Sequence, residues 1–131
     1  DESIYQVTEY DKLLKFRKSD IGKRMESAYC QGVLTREGKF VMGVNADRID
    51  ESYPEDETIL VQGIIDAWFI EDGQAVLVDY KTDSVKDGQA LILRYQKQME
   101  LYGSAIQKAT QMPIKESILY SFHLGEEVPL D

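Results

Sequence analysis

A tight reversal at Asp72-Gly73, set between two apolar runs, constrains this chain more than any other feature. A two-residue loop of type I′ needs positive φ at both central positions, which Asp-Gly supplies, and it fixes the register of the strands on either side. The runs cover residues 58–70 and 75–81. With Asp72 and Gly73 as the turn, Glu71 pairs with Gln74 and Ile70 faces Ala75. Trp68 then faces Leu77, Asp66 faces Asp79, and Ile64 faces Lys81. Side chains alternate along a strand. One face is therefore expected to carry Val61, Ile65, Phe69, Val76, Val78 and Tyr80, an apolar core surface. The other is expected to gather Asp66, Asp79 and Lys81.

Two carboxylates opposite each other on one sheet face have Cβ atoms ~5 Å apart and repel. Amid apolar strands, uncompensated charge is costly. A divalent cation between them offsets that cost. Mg²⁺ is a hard ion that prefers oxygen ligands, keeps several waters and often uses only one or two carboxylates. The main-chain carbonyl of Tyr80 is near enough to add an oxygen. Lys81, on the same face two residues past Asp79, is placed to polarise a phosphate or stabilise a hydroxide. A metal and a positioned lysine suffice to hydrolyse a phosphodiester. The other reading of the same residues is a buried Asp–Lys–Asp ion network with a structural role.

The rest of the chain fits one domain of mixed α/β (α+β) class with a single sheet flanked by helices. Residues 8–16 read as a short helix with Thr8 as N-cap. Ser19 reads as the N-cap of a second, with Ile21, Met25 and Ala28 on one face. Residues 32–36 and 39–46 read as two strands around a Glu37-Gly38 turn, followed by a polar, acidic loop through Pro54. Residues 88–110 form an amphipathic helix ended by Met112-Pro113, and 114–123 a last strand, with an acidic tail from Gly125 expected to fray. Residues four apart share a helix face, so Tyr95, Gln98 and Tyr102 make a stripe that can lie over the hairpin. A glutamine in such packing needs hydrogen-bond partners, whereas the tyrosines also suit ordinary packing.

Composition excludes several alternatives. The 131 residues carry 24 acidic and 15 basic side chains, a formal charge of −9, which argues against a nucleic-acid binder driven by bulk charge. The acids crowd residues 47–72, while residues 79–108 are mildly basic, and Lys86, Arg94 and Lys97 there can line a nucleic-acid path or simply face solvent. Cys30 alone cannot form an internal disulfide, a Cys-rich zinc site or an iron–sulfur cluster, and is expected to be buried or half-buried. Trp68 is expected to pack under the helix, and His123 to be a partly exposed sheet residue. No segment reaches the ~20 apolar residues of a membrane span, and the expectation is a soluble intracellular chain, cut from a larger protein.

Three segments in order carry a resemblance: Gly63-Ile64-Ile65-Asp66, then Leu77-Val78-Asp79-Tyr80-Lys81-Thr82, then Gln98-Met99-Glu100-Leu101-Tyr102. They resemble the motif series of the PD-(D/E)XK nuclease superfamily, and within it the C-terminal nuclease domains of AddA-type, RecB-like helicase–nuclease subunits. Residues 16–24 and 55–66 are similar to that family as well, so the likeness spans most of the chain. It implies a restriction-endonuclease-like core with Asp66 and Asp79 as metal ligands, Tyr80 as a main-chain ligand, and Lys81 as the catalytic lysine. It implies also that Gln98 and Tyr102 belong to the catalytic set, with Gln98 orienting Lys81 or a water and Tyr102 meeting the DNA backbone. Family members carry a further metal-ligating histidine on an upstream helix. No histidine precedes His123 here, and the chain is expected to begin after that helix.

The implied function is a Mg²⁺-dependent exonuclease, with Mn²⁺ as substitute, acting on DNA in the bacterial cytoplasm during double-strand-end processing for recombinational repair. The implied partners are DNA, the helicase part of the parent chain, which binds the ATP, and a second subunit of AddB type, with no membrane. Two alternatives stand beside it: a catalytically inactive DNA-end or protein docking module of the same fold, and a restriction-type endonuclease.

Overall fold

In the computed structural model, which describes the backbone of residues 2–130 and the side chains of residues 9–130, five strands form one sheet in the order β1-β2-β3-β4-β5. Helices α1 (Glu2–Lys18) and α2 (Asp20–Cys30) lead into β1 (Leu34–Asn45), a short 3₁₀ turn and β2 (Thr58–Glu71). Then come β3 (Gln74–Lys81), α3 (Gly88–Thr110), β4 (Ile114–Ser121) and β5 (Glu126–Leu130). All neighbours are antiparallel except β3 and β4, which run parallel because α3 carries the chain back between them. This is the mixed sheet flanked by helices that the sequence implies.

Each face of the sheet has its own apolar layer. On one, Ile21, Met25 and Ala28 of α2 pack on Ala67, Phe69, Val76, Val78, Ile118 and Tyr120. On the other, Leu91, Met99 and Ile106 of α3 pack on Ile65, Ala75, Leu77 and Leu119. Trp68 packs in this second layer, as expected. Ser19 caps α2 as expected, its Oγ accepting from the Gly22 N–H at 3.1 Å.

Several elements differ from the sequence reading. The first helix starts well before Thr8, which therefore is not its N-cap, and the Thr8 side chain lies outside the described residues. Glu37-Gly38 does not reverse the chain. β1 is continuous, and residues on both sides of Glu37 pair with β2 in one register. Glu37 instead adopts φ 52° opposite Asp66, and there the alternation of faces slips. Leu34, Ala67 and Phe69 point to the α2 side, whereas Phe40 and Ile65 point to α3. Val61 and Ile65 therefore do not share a face with Phe69, and Val61 packs with Met42, Val44 and Ala105. The strand expected over residues 114–123 is β4, which ends at Ser121 and is not the last, with Phe122 and exposed His123 in the turn that follows.

The acidic tail does not fray. It forms β5, which buries Val128, and Glu127 accepts from the Ile21 N–H at the start of α2. A carboxylate there also suits the positive end of the helix. Cys30 is exposed at the end of α2, off the Ile21-Met25-Ala28 face.

An ion network ties α2 to the hairpin. Arg24 grips Glu71 with two donors, Nε at 3.1 Å and Nη2 at 2.8 Å, and reaches Glu116 at 3.0 Å. Lys115 adds a bond to Glu71 at 2.9 Å. Arg24, then Lys115, hold the Glu71 carboxyl down at about 2, from an ordinary 4.5. A depressed carboxylate contributes stability above its unfolded pKa and loses it as pH falls toward the folded value. Much of the group faces water, so screening keeps the contribution to about 1 kcal/mol. Glu71→Gln is predicted to lower Tm by a few degrees at pH 7. The difference should shrink below pH 4.5 and vanish near pH 2, as read by thermal melts across that range.

Candidate active site

The hairpin turns as its sequence demands, with Asp72 at φ 55° and Gly73 at φ 72°. The ladder runs Glu71↔Gln74, Ile70↔Ala75, Phe69↔Val76, Trp68↔Leu77 and Ala67↔Val78, in the expected register, and stops there. The expected pairs Asp66–Asp79 and Ile64–Lys81 do not form, because β2 and β3 part company. In an antiparallel ladder every second residue turns its N–H and C=O toward the partner strand, and Tyr80 is the next to do so. Its N–H donates instead to Asp66 Oδ2, at 2.8 Å. The Tyr80 carbonyl lies on the same side, toward the gap. A side chain thus replaces the missing strand, and two carboxylates and one carbonyl line the opening.

Asp79 is 4% exposed, and Asp66 lies half-buried beside it within hydrogen-bonding reach. Burial first, then the Asp66 carboxylate, push the Asp79 carboxyl up to about 6, against the pull of Lys81. Lys81 Nζ sits 2.8 Å from Asp79 Oδ2 and donates to Gln98 Oε1 at 3.2 Å. The sequence stripe on α3 therefore does lie over the hairpin. Tyr102 is half-buried, and its hydroxyl is held above its ordinary pKa by burial, then by Asp79 and Asp66. Its ring stands edge-on to Phe40, centroids 5.1 Å apart. Gly63 makes room for both rings, since a Cβ there would come within 2.8 Å of Phe40 and 3.1 Å of Tyr102.

Of the residues expected at the site, Asp66, Asp79, Lys81, Gln98 and Tyr102 thus meet under α3, and Tyr80 joins them through its main chain alone, its ring packing in the α2-side layer. The three cations that can line a nucleic-acid path or simply face solvent lie outside this group of residues. Arg94 pairs with Asp83, Lys97 donates to the Ile49 carbonyl, and Lys86 is exposed. Two contributors went unrecognised in sequence. Gly63 was legible only as a motif letter, and Tyr95, whose ring lies 3.7 Å from Lys81 Nζ, only as part of the stripe.

The donor set suits a hard divalent cation. Two carboxylates and a carbonyl offer oxygen alone, and the elevated Asp79 marks a place where positive charge is wanted. Among the described residues no group of three or more His, Cys, Asp or Glu side chains is gathered to hold a metal. A cation here would keep several waters, as Mg²⁺ does.

A family model described as the PD-(D/E)XK nuclease superfamily matches residues 5–127, and the chain belongs to that superfamily. It is similar over nearly all its length to proteins named as ATP-dependent helicase/nuclease subunits. The one from Clostridium novyi (strain NT) is 41% identical over 93% of this chain. That from Clostridium perfringens (strain SM101 / Type A) is 38% identical over 95%, and that from Lachnoclostridium phytofermentans 32% over 98%. The chain spans only 10–12% of the length of these relatives. Among the described residues no helix is long and apolar enough to cross a membrane.

Burial and the Asp66 carboxylate favour a proton on Asp79 in acid, and a cation taken up between the two acids competes with that proton, so its affinity should fall as the pH drops below neutrality. Millimolar Mn²⁺ is predicted to raise Tm at pH 8 and to leave it nearly unchanged at pH 5. Equal shifts at both pH values would place the ion elsewhere.

Proposed function

We propose that this chain is the nuclease domain of an ATP-dependent helicase–nuclease and hydrolyses phosphodiester bonds in DNA strands. The observation that carries this reading is the convergence of Asp66, Asp79, Lys81, Gln98 and Tyr102 under α3, in a gap lined by oxygen donors. The names of the relatives support the helicase connection.

Asp66, Asp79 and the Tyr80 carbonyl would hold a divalent cation, Mg²⁺ with Mn²⁺ as substitute. When bound, such an ion would supply Lewis acidity toward a water and the phosphate oxygens. The chain's own groups do the rest. Lys81 presents its ammonium to the charge that develops on the phosphate as the new bond forms. Gln98 keeps that ammonium aimed, through the bond from Nζ to Oε1. Tyr102, beside the two carboxylates, offers a hydroxyl to the DNA backbone. The parallel strands β3 and β4 and the cover of α3 fix the backbone on which Asp79 and Lys81 stand, which keeps reacting groups in register with a bound strand.

As an exonuclease in the bacterial cytoplasm, the domain would degrade strands delivered by a helicase part of the parent chain, which binds the ATP, beside a second subunit of AddB type. The product would be a processed double-strand end fit for recombinational repair. Residues 1–131 are read as one nuclease domain of that assembly.

In the full-length protein, Asp79→Ala and Lys81→Ala are each predicted to slow Mg²⁺-dependent degradation of single-stranded DNA by about 10²-fold or more. DNA binding should be retained, as measured by fluorescence anisotropy. Degradation at the wild-type rate by both variants would instead favour a docking module of the same fold.

A further inference from the structure

The Lys81 ammonium has three neighbours of different kinds. Asp79 Oδ2 lies at 2.8 Å, Gln98 Oε1 at 3.2 Å and the centroid of the Tyr95 ring at 3.7 Å. The Asp79 contact weakens when it is most needed. A carboxylate engaged with a divalent cation has less charge to spare, and that cation repels a nearby ammonium. Gln98 and Tyr95 carry no formal charge, so their hold does not depend on what Asp79 binds. The face of an aromatic ring is the negative pole of its quadrupole and attracts an ammonium within ~6 Å.

The Tyr95 ring is itself tied down. Its hydroxyl donates to Asp83 Oδ2 at 2.7 Å, and Arg94 Nη1 donates to the same oxygen at 2.8 Å. Asp83 lies between β3 and α3, two residues past Lys81, so the ring is anchored to the segment that carries the lysine. The shared bond holds the Tyr95 hydroxyl above its ordinary pKa and Asp83 below its own, and donor and acceptor keep their roles through neutral pH. A phenol that donates to a carboxylate also gains ring electron density, which strengthens the pull of its face.

We infer that Tyr95, locked by Asp83, is a positioning residue: an uncharged clamp that keeps the Lys81 ammonium facing the scissile phosphate while Asp79 is engaged elsewhere. The inference rests on the reading of Lys81 as the group that stabilises developing charge. It assigns Asp83 and Arg94 to the support of the ring rather than to DNA.

The test uses the full-length protein with Tyr95→Leu, Tyr95→Phe and Asp83→Ala, and Lys81→Ala as reference. One readout is kcat and KM on single-stranded DNA with Mg²⁺. The other needs no metal: acylation of Lys81 by limiting acetic anhydride, followed by peptide mass spectrometry. Tyr95→Leu should lower kcat about tenfold with KM moved by less than about twofold, and Lys81 should acylate several-fold faster. Tyr95→Phe and Asp83→Ala keep a ring without its lock and should lose about threefold in kcat. Asp83 stands outside the apolar layers, so Asp83→Ala decides the matter should Tyr95→Leu fail to fold. Unchanged kcat and unchanged Lys81 acylation in the folded variants would overturn the clamp. Wild-type cleavage by Lys81→Ala would overturn the reading of the site itself, a result distinct from the first.

Discussion

The separation of β2 from β3 just beyond Ala67↔Val78 is the constraint on which the rest of this structure depends. Up to that pair the hairpin is an ordinary ladder with an apolar residue on nearly every rung. Past it the backbone groups of Tyr80 lose their strand partner, and Asp66 takes over the N–H. The exchange keeps a buried donor satisfied, as burial requires, and it sets a carboxylate next to the almost fully buried Asp79. Neither acid would be tolerated there alone. Lys81 offsets part of the charge, and the elevated Asp79 records the remainder. Negative charge held against its own desolvation suits a cation with oxygen ligands.

The surrounding elements serve that opening. One apolar layer, from α2 to Tyr120, fixes the underside of β3. The other seats α3 so that Tyr95, Gln98 and Tyr102 descend on the gap. Gly63 lets Phe40 and Tyr102 close in where any side chain would collide. Glu37, with its positive φ opposite Asp66, marks the point at which the sheet changes which face it shows to α3. Without that slip, Ile65 would fall on the wrong side and the helix would lose a buried contact beside the site.

What the sequence disclosed was local. Asp72-Gly73 states its turn through the φ it allows, and register follows for as long as the strands stay paired. The end of the pairing is invisible in the pattern, because it comes from a side chain substituting for backbone fourteen residues away. Glu37-Gly38 carries the same local signal as a reversal. Pairing with β2 on both sides overrides it and makes a kink instead. The acidic tail looked unable to fold because its partners lie far off in sequence: Glu127 reaches Ile21, and Val128 reaches the α3 layer. The site residues were legible as two acids and a lysine on facing strands and as a stripe on a helix. The clamp was not, since nothing in the letters joins Asp83 to Tyr95.

The central claim is that Asp66 and Asp79 form one oxygen-lined cation site. Its most direct measurement is a crystal of this domain soaked in Mn²⁺ at pH 8, read for anomalous scattering. The account predicts a peak between the two carboxylates, within about 2.5 Å of an oxygen from each and close to the Tyr80 carbonyl. A clean map there, with Asp79 still paired only with Lys81 and Asp66 only with the Tyr80 N–H, would contradict it.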